Sequence, residues 1–335
     1  MSAPTATRSG PPAPPAVPVT AYPPAPADRL GPGHYEPEHV PAAVARHAAR
    51  PHMLGVGRPG KVGLLELGYA RVGARTELVH HFQKSPLQIM RPLYFDPHRP
   101  DLPLTFLMST GGGVLQADRL RTDLHVGAGA AALLTTQAAT KVYRMEHDYA
   151  TAQTFLTAGP DSYVEYLPDP VIPFVGSRFY QRTTVTADPS ATVLLSETVL
   201  AGRLARGERH AYDVFASDLE VLLPDGRPVA VDTVRLEPGA HRVDGPAVMA
   251  GHAVTAAFFA LTPLAPAGEL AGLLHAALPA HPSVRAGVSV LPDARGVWVR
   301  LLGPAAEPVA GALRTAWDCV RRRLIGVPAP HLRKS

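Results

Sequence analysis

The 335-residue chain has a single cysteine, Cys319. One thiol excludes an internal disulfide framework and every Cys-x-x-Cys metal or redox motif, and it fits a reducing compartment. Aromatic residues make up only 6%, and they are not interleaved with basic residues as binding of single-stranded nucleic acid would need. No stretch approaches the roughly 20 apolar residues that span a bilayer. Prolines interrupt every apolar run near the N-terminus, so the continuous core of a secretory signal is missing and the chain is expected to stay in the cytoplasm.

Catalytic signatures are missing as well. There is no Gly-x-Ser-x-Gly elbow and no His-Glu-x-x-His pair, and the adjacent His80 and His81 would face opposite ways on a strand. No nucleophile with its base, carboxylate pair or ligand cluster emerges at workable spacing. The expectation is a protein that is not an enzyme; a β-rich enzyme with dispersed catalytic residues and a basic nucleic-acid binder are the rival classes. A net charge of +4 and a pI of about 9.3 would suit the second rival. The 32 basic and 28 acidic residues are interspersed rather than blocked, however, and read as solvated surface.

What is present is the composition of a folded chain, 46% hydrophobic with a mean hydropathy of +0.03. Residues 1–33 stand apart: ten prolines lie there among alanine, glycine and threonine, a mixture that favours extended, disordered conformations. A disordered lead-in over 1–50, dispensable for function, and one β-rich domain over 51–330 are the expected organisation. His34, His39, His47 and His52 with Glu36 and Glu38 could form a nickel or zinc set. They lack tight ligand spacing, and an exposed, partly helical lead-in over 41–50 is the better reading. The run Gly55-Val56-Gly57-Arg58-Pro59-Gly60-Lys61-Val62 imitates a nucleotide-binding loop. It neither follows a strand nor opens a helix, and Val62 stands where a magnesium-binding hydroxyl belongs, so nucleotide binding is rejected.

Short apolar or alternating runs then recur over 64–69, 150–157, 163–167, 179–187, 191–200, 212–223, 229–236 and 252–261. Gly-Pro-Asp, Asp-Pro-Ser, Pro-Asp-Gly and Pro-Gly turns divide them, which is an all-β rhythm. Helical spacing appears late, over 269–278 and 309–324. The second helix ends at Gly326 with Arg321, Arg322 and Arg323 in its last turn, where they suit the helix dipole. Cys319 rides on it as an inert thiol.

The centre of the chain carries the most specific pattern. Gly111-Gly112-Gly113 leads to Asp118-Arg119-Leu120, after which Leu120, Thr122, Leu124 and Val126 alternate with Arg121, Asp123 and His125 as a half-buried strand does. His125 is expected to face solvent. Gly127-Ala128-Gly129 turns the chain and 131–136 reads as a second strand, so the unit is expected to be a β-hairpin. No Gly-Lys-Ser/Thr follows the three glycines, which read as an architectural turn rather than a phosphate cradle.

These residues resemble the urease accessory proteins of the UreD (UreH) type. That family has the triple glycine leading into Asp-Arg-Leu and the segment Leu-Leu-Thr-Thr-Gln-Ala-Ala-Thr-Lys-Val-Tyr-Arg found at 133–144. The likeness extends to Lys-Ser-Pro-Leu at 84–87, Arg-Pro-Leu-Tyr at 91–94, Tyr-Leu-Pro-Asp-Pro-Val-Ile-Pro-Phe at 166–174, 179–183, Ser196-Glu197 and 201–208, about the middle half of the chain. The departures are Thr110, where proline is usual, Gln116-Ala117, where many members have two glycines, and the long N-terminal extension.

The resemblance implies a mainly β fold, an elongated stacked-strand, solenoid-like body with two or three helices docked on it. It implies a non-catalytic scaffold that binds the urease apoenzyme and a UreF-type accessory protein, which recruits a UreG-type GTPase, so that nickel reaches the urease active site. No cofactor would be held permanently; Ni2+ would be in transit through an internal channel, where carboxylates bind a divalent ion weakly enough to release it. Asp118 and Glu197, both inside matched motifs, are the transit candidates, and Gly111, Gly112, Gly113, Lys141, Tyr143 and Arg144 form the structural motif. Each carboxylate has a plainer reading: Asp118 fixing its turn, and Glu197 pairing a buried arginine such as Arg203 or Arg206.

Overall fold

A computed structural model describes residues 22–23, 27–49 and 61–332. Residues 1–21, 24–26 and 50 of the expected lead-in, and residues 51–60 with His52 and the glycine-rich run at 55–60, lie outside the described residues. The strands are β1 (Val62–Val72), β2 (Arg75–Lys84), β3 (Leu87–Gln88), β4 (Leu104–Ser109), β5 (Arg119–Val126), β6 (Ala131–Thr136), β7 (Thr140–Val142), β8 (Ala150–Ala158) and β9 (Tyr163–Tyr166). They continue as β10 (Val171–Pro173), β11 (Arg178–Ala187), β12 (Thr192–Leu200), β13 (Val214–Leu222), β14 (Pro228–Leu236), β15 (Val254–Leu261), β16 (Arg285–Val290) and β17 (Gly296–Gly303). Among the described residues four α-helices accompany them: α1 (Pro32–Tyr35), α2 (Ala42–Ala45), α3 (Ala267–Ala277) and α4 (Ala306–Ile325).

Two sheets stack face to face. The first has the order β14-β13-β11-β8-β5-β1-β2, and the second runs β16-β17-β15-β12-β9-β6-β4-β3. The chain winds between them: β5, β8 and β11 lie in the first sheet, and β6, β9 and β12, each next in sequence, lie in the second. Corresponding strands of successive turns pair in parallel, β5 with β8 and β8 with β11 on one side, β6 with β9 and β9 with β12 on the other. This is the solenoid-like stack of coils, and the mainly β expectation holds.

The hairpin expected over 119–136 does not form. β5 pairs with β1 and β8, and β6 pairs with β4 and β9, so the two strands joined by 127–130 belong to different sheets. Period-2 alternation reports only that one face is buried; it carries no information on whether the partner strand is the next in sequence or the same strand one coil later.

Side-chain parity sets three layers. On β6, β9, β12 and β15 one set of alternate residues, Ala132, Leu134, Val164, Val193, Leu195 and Phe259 among them, packs between the sheets. The other set, including Leu133, Leu194, Ala256 and Phe258, packs beneath α3 and α4. The second sheet is thus buried on both faces, which is why its strands read as nearly continuous apolar runs. α3 and α4 match the two late helices within the usual uncertainty of helix ends. Among the described residues no helix is long and apolar enough to cross a membrane.

One residue of α4 departs from its expected role. Arg321 is fully buried, its guanidinium 2.7 Å from Asp96 and 3.2 Å from Glu165, with the Pro328 carbonyl accepting a further hydrogen bond at 3.0 Å. Tyr163 Oη donates to the same Glu165 at 2.5 Å. Of the three arginines only Arg322 and Arg323 stay at the surface, bonded to Asp318 and Glu269. A run of three arginines looks uniformly solvated in sequence, but the helical period turns one in three or four toward the core.

The first sheet's outer face is covered by residues from the N-terminal segment. Val44 of α2 is fully buried in a cluster with Tyr149, Tyr180, Val214 and Ala216. His125 is half-buried beneath Tyr22 rather than facing solvent, because that segment crosses over it.

Candidate functional site

Between the sheets lies a cavity of about 350 Å3. Its wall on the first sheet is a row of hydroxyls: Thr122, Thr154 and Thr183 stand in register on three parallel strands. Gln181 adds a polar amide, while Leu120, Ala152 and Phe179 supply apolar surface. The facing wall carries Tyr166 of β9 and Glu197 of β12. The cavity extends to the exposed corner where Gly112, Gly113 and Lys141 meet.

That corner depends on the central motif. Gly112 has φ +70, a left-handed conformation that disfavours any side chain. A Cβ on Gly113 would lie 2.6 Å from the Lys141 carbonyl oxygen and 2.6 Å from the Tyr143 ring. The close approach lets Val114 N donate to Lys141 O at 2.7 Å and Tyr143 N donate to Val114 O at 3.0 Å, closing the gap between two loops. Gly111 sits exposed at the start of the turn, and Arg144, also exposed, packs against Gly176. Gly112, Gly113, Lys141 and Tyr143 are therefore brought together, and Arg144 lies alongside.

The two carboxylate candidates part company. Asp118 is buried, 2% exposed, and does not line the cavity. Its two oxygens accept from the backbone N–H groups of Lys61 at 2.9 Å and Leu115 at 2.8 Å, which ties the turn to the start of β1 as its plainer reading describes. The neighbouring Ala117 takes φ +61 within this turn.

Glu197 faces the cavity. Thr183 Oγ1 donates to Oε1 at 2.9 Å and Ser217 Oγ donates to Oε2 at 3.0 Å, both reaching across from the first sheet. Neither arginine of its alternative reading is there: Arg203 is paired with Glu208, and Arg206 is exposed in the following loop. Arg300 lies in the same row two strands away, since Glu197 is paired with Ala257 and Ala257 with Arg300, but its guanidinium is bonded to Asp232 at 2.5 and 2.7 Å. Among the described residues no guanidinium or ammonium is bonded to Glu197. Burial pushes its carboxyl above the ordinary value of 4.5, and the two hydroxyl donors offset this only in part. The same burial, with the Glu197 charge adding to it, pushes Tyr166 up to about 12, so its phenol stays protonated.

Sequence reasoning missed the threonine row and Ser217. The available signal was parity: Thr154 and Thr183 share a face with Leu156 and Val185, a polar residue at a core position in each of two successive coils. Of the candidate set His34, His39, His47 and His52 with Glu36 and Glu38, the described members are not assembled: His34 lies 3.8 Å from Asp123, Glu36 is paired with Arg119, and Glu38 and His39 are exposed. Among the described residues no three His, Cys, Asp or Glu side chains are grouped to hold a metal ion.

Stacked coils with a carboxylate-bearing hollow between the sheets, and the two long helices α3 and α4 packed on the second sheet, define a solenoid-like β protein with a partly polar cavity in its core. Comparison with known proteins makes the class particular. The model of the UreD urease accessory protein family matches residues 61–335, and the chain belongs to that family. It is 54% identical over 293 residues to urease accessory protein UreD 2 of Streptomyces griseus, a match covering 87% of this chain and 100% of the relative. It is 39% identical over 279 residues to urease accessory protein UreD of Haloarcula marismortui, covering 83% and 92%. Urease accessory protein UreD 3 of Methylorubrum populi is 35% identical over 283 residues, covering 84% and 91%.

Proposed function

We propose that the protein is a non-catalytic scaffold in urease maturation, through which nickel passes on its way to the urease active site. Its partners in this reading are the urease apoenzyme and a UreF-type accessory protein, which brings a UreG-type GTPase; GTP hydrolysis belongs to that partner, and the setting is the cytoplasm. Family membership supports the maturation role. The observation that carries the conduit is Glu197: a half-buried carboxylate with hydroxyl partners and, among the described residues, no guanidinium or ammonium bonded to it, lining a cavity between the sheets.

Such a group suits a transient divalent ion. Nickel, as a borderline cation, accepts carboxylate and hydroxyl oxygens, and oxygen donors hold it less firmly than imidazole or thiolate sets do. Thr183 and Ser217 orient the carboxylate, and the threonine row offers further oxygens along the wall. The experiment is co-expression of the urease subunits and their accessory proteins with and without this chain, with the nickel content of purified urease as the readout. The proposal expects nickel-poor, inactive urease without the chain and loaded urease with it. Equal loading in both would overturn it.

A further inference from the structure

The observations reach furthest on the outer face of the first sheet, away from the cavity. Residues 22–23 and 27–49 cross that face from β2 to β14, transverse to the strands. At the near end Tyr22 stacks on His80 of β2 with ring centroids 3.7 Å apart. The strand beneath is shaped for it: a Cβ on Gly68 of β1 would come within 2.5 Å of the Tyr22 ring, so the glycine forms a slot that the tyrosine fills. Arg29 lies 4.0 Å over the Phe82 ring and 3.4 Å from Glu66 Oε2, a carboxylate whose side chain is 3% exposed.

The crossing continues through main-chain carbonyls. Arg121 of β5 donates to His34 O at 2.5 Å and Gln153 of β8 donates to Tyr35 O at 2.9 Å. At the far end Val44 is fully buried against side chains of β11 and β13, and Arg46 reaches Glu237 at 2.9 Å. An aromatic slot, a guanidinium site, two carbonyl-directed donors and an apolar socket in one line are the features of a peptide-docking face. The family model begins at residue 61, so the matched domain supplies the face and the preceding segment supplies its occupant.

We propose that the outer face of the first sheet is a peptide-docking surface whose occupant is this chain's own N-terminal segment, residues 22–23 and 27–49, held in cis as a strap. Any macromolecule that uses this face has to displace the strap. The effective concentration of a tethered segment makes that competition steep.

Hydrogen exchange of the full-length protein tests this. The amides of Val44, Ala45 and Arg46 bond to carbonyls within the same short turn, those of Pro41, Ala42 and Val44. A helix this short does not protect itself in water, so protection there reports docking. Exchange at least tenfold slower than in a synthetic peptide of residues 20–49 is expected. Val44→Asp, which changes the strap and not the body, should abolish that protection while β5 and β8 remain protected. Gly68→Val should speed exchange over 27–34, whereas Gly287→Val, on a strand position where a Cβ meets nothing within 4 Å, should not. A fluorescent peptide of residues 20–49 should bind the Val44→Asp protein at least tenfold more tightly than the parent, whose face is filled. Unprotected amides at 44–46 in the parent, protection that survives both strap-face variants, or no peptide binding to Val44→Asp would overturn the proposal.

Discussion

Glu165 and Glu197 sit on neighbouring strands, β9 and β12, where Glu165 is paired with Leu194. Glu197 lies three positions beyond Leu194, an odd offset, so the two carboxylates point to opposite faces of one sheet. Glu165 is fully buried and Glu197 half-buried beside the cavity, and desolvation pushes both carboxyls above the ordinary 4.5. On the helix side Glu165 meets a guanidinium, Arg321, itself 0% exposed and shared with Asp96. On the cavity side Glu197 meets only hydroxyls. A buried carboxylate closed by its own arginine is a fixed part of the structure, whereas one left beside a hollow with neutral donors keeps its charge available to a cation that arrives later.

The contrast predicts different consequences for similar changes. Arg321→Met should be the most damaging, because it leaves Asp96 and Glu165 buried without their counterion; a loss of about 3–5 kcal/mol in urea unfolding is expected. Glu165→Gln keeps the Arg321–Asp96 contact and should cost about 1–3 kcal/mol by the same measurement. Glu197→Gln should stay within about 1 kcal/mol of the parent at pH 7, since a neutral amide can still accept from Thr183 or Ser217. A large loss there would erase the distinction between the two faces.

The pH dependence of Glu197 sharpens the comparison. Its carboxyl is held above 4.5 in the folded state, so the folded protein binds that proton more tightly than the unfolded chain does. The contribution to stability is fully present below the unfolded value and is lost as pH rises through the folded one. The parent's urea midpoint should therefore fall more than that of Glu197→Gln as pH is raised from about 4.5 toward neutrality. Identical profiles would count against a desolvated Glu197.

The smallest effect is expected at Ala117, whose φ of +61 lies where glycine is at ease. Ala117→Gly should gain about 0.5–1 kcal/mol, the relief of left-handed strain less the added freedom of the unfolded chain. Thermal unfolding at constant pH would measure it.

Much of the architecture was legible in sequence for identifiable reasons. Turn dipeptides such as Asp188-Pro189 and Asp225-Gly226 punctuate the strands, and the apolar spacing of Val309, Ala316, Trp317 and Val320 marks α4, all of them buried. Partner choice was not legible: nothing in 119–136 says that β5 and β6 pair with other coils rather than with each other. Asp118 and Glu197 were found through motif resemblance, but what separates them is which loop or wall each faces, a three-dimensional fact. Arg321 was hidden inside a basic run, and the strap was hidden by proline content, because the contacts of Tyr22 and Val44 are with strands far along the chain.

The most direct test of the distinction is Glu197→Gln in the assembled maturation system. Complexes with the urease apoenzyme and the UreF-type partner would be isolated by pull-down, and nickel per urease active site would be measured on the product. Intact complexes with clearly reduced nickel are the predicted result. Full nickel loading by a folded, complex-forming Glu197→Gln protein would contradict the account.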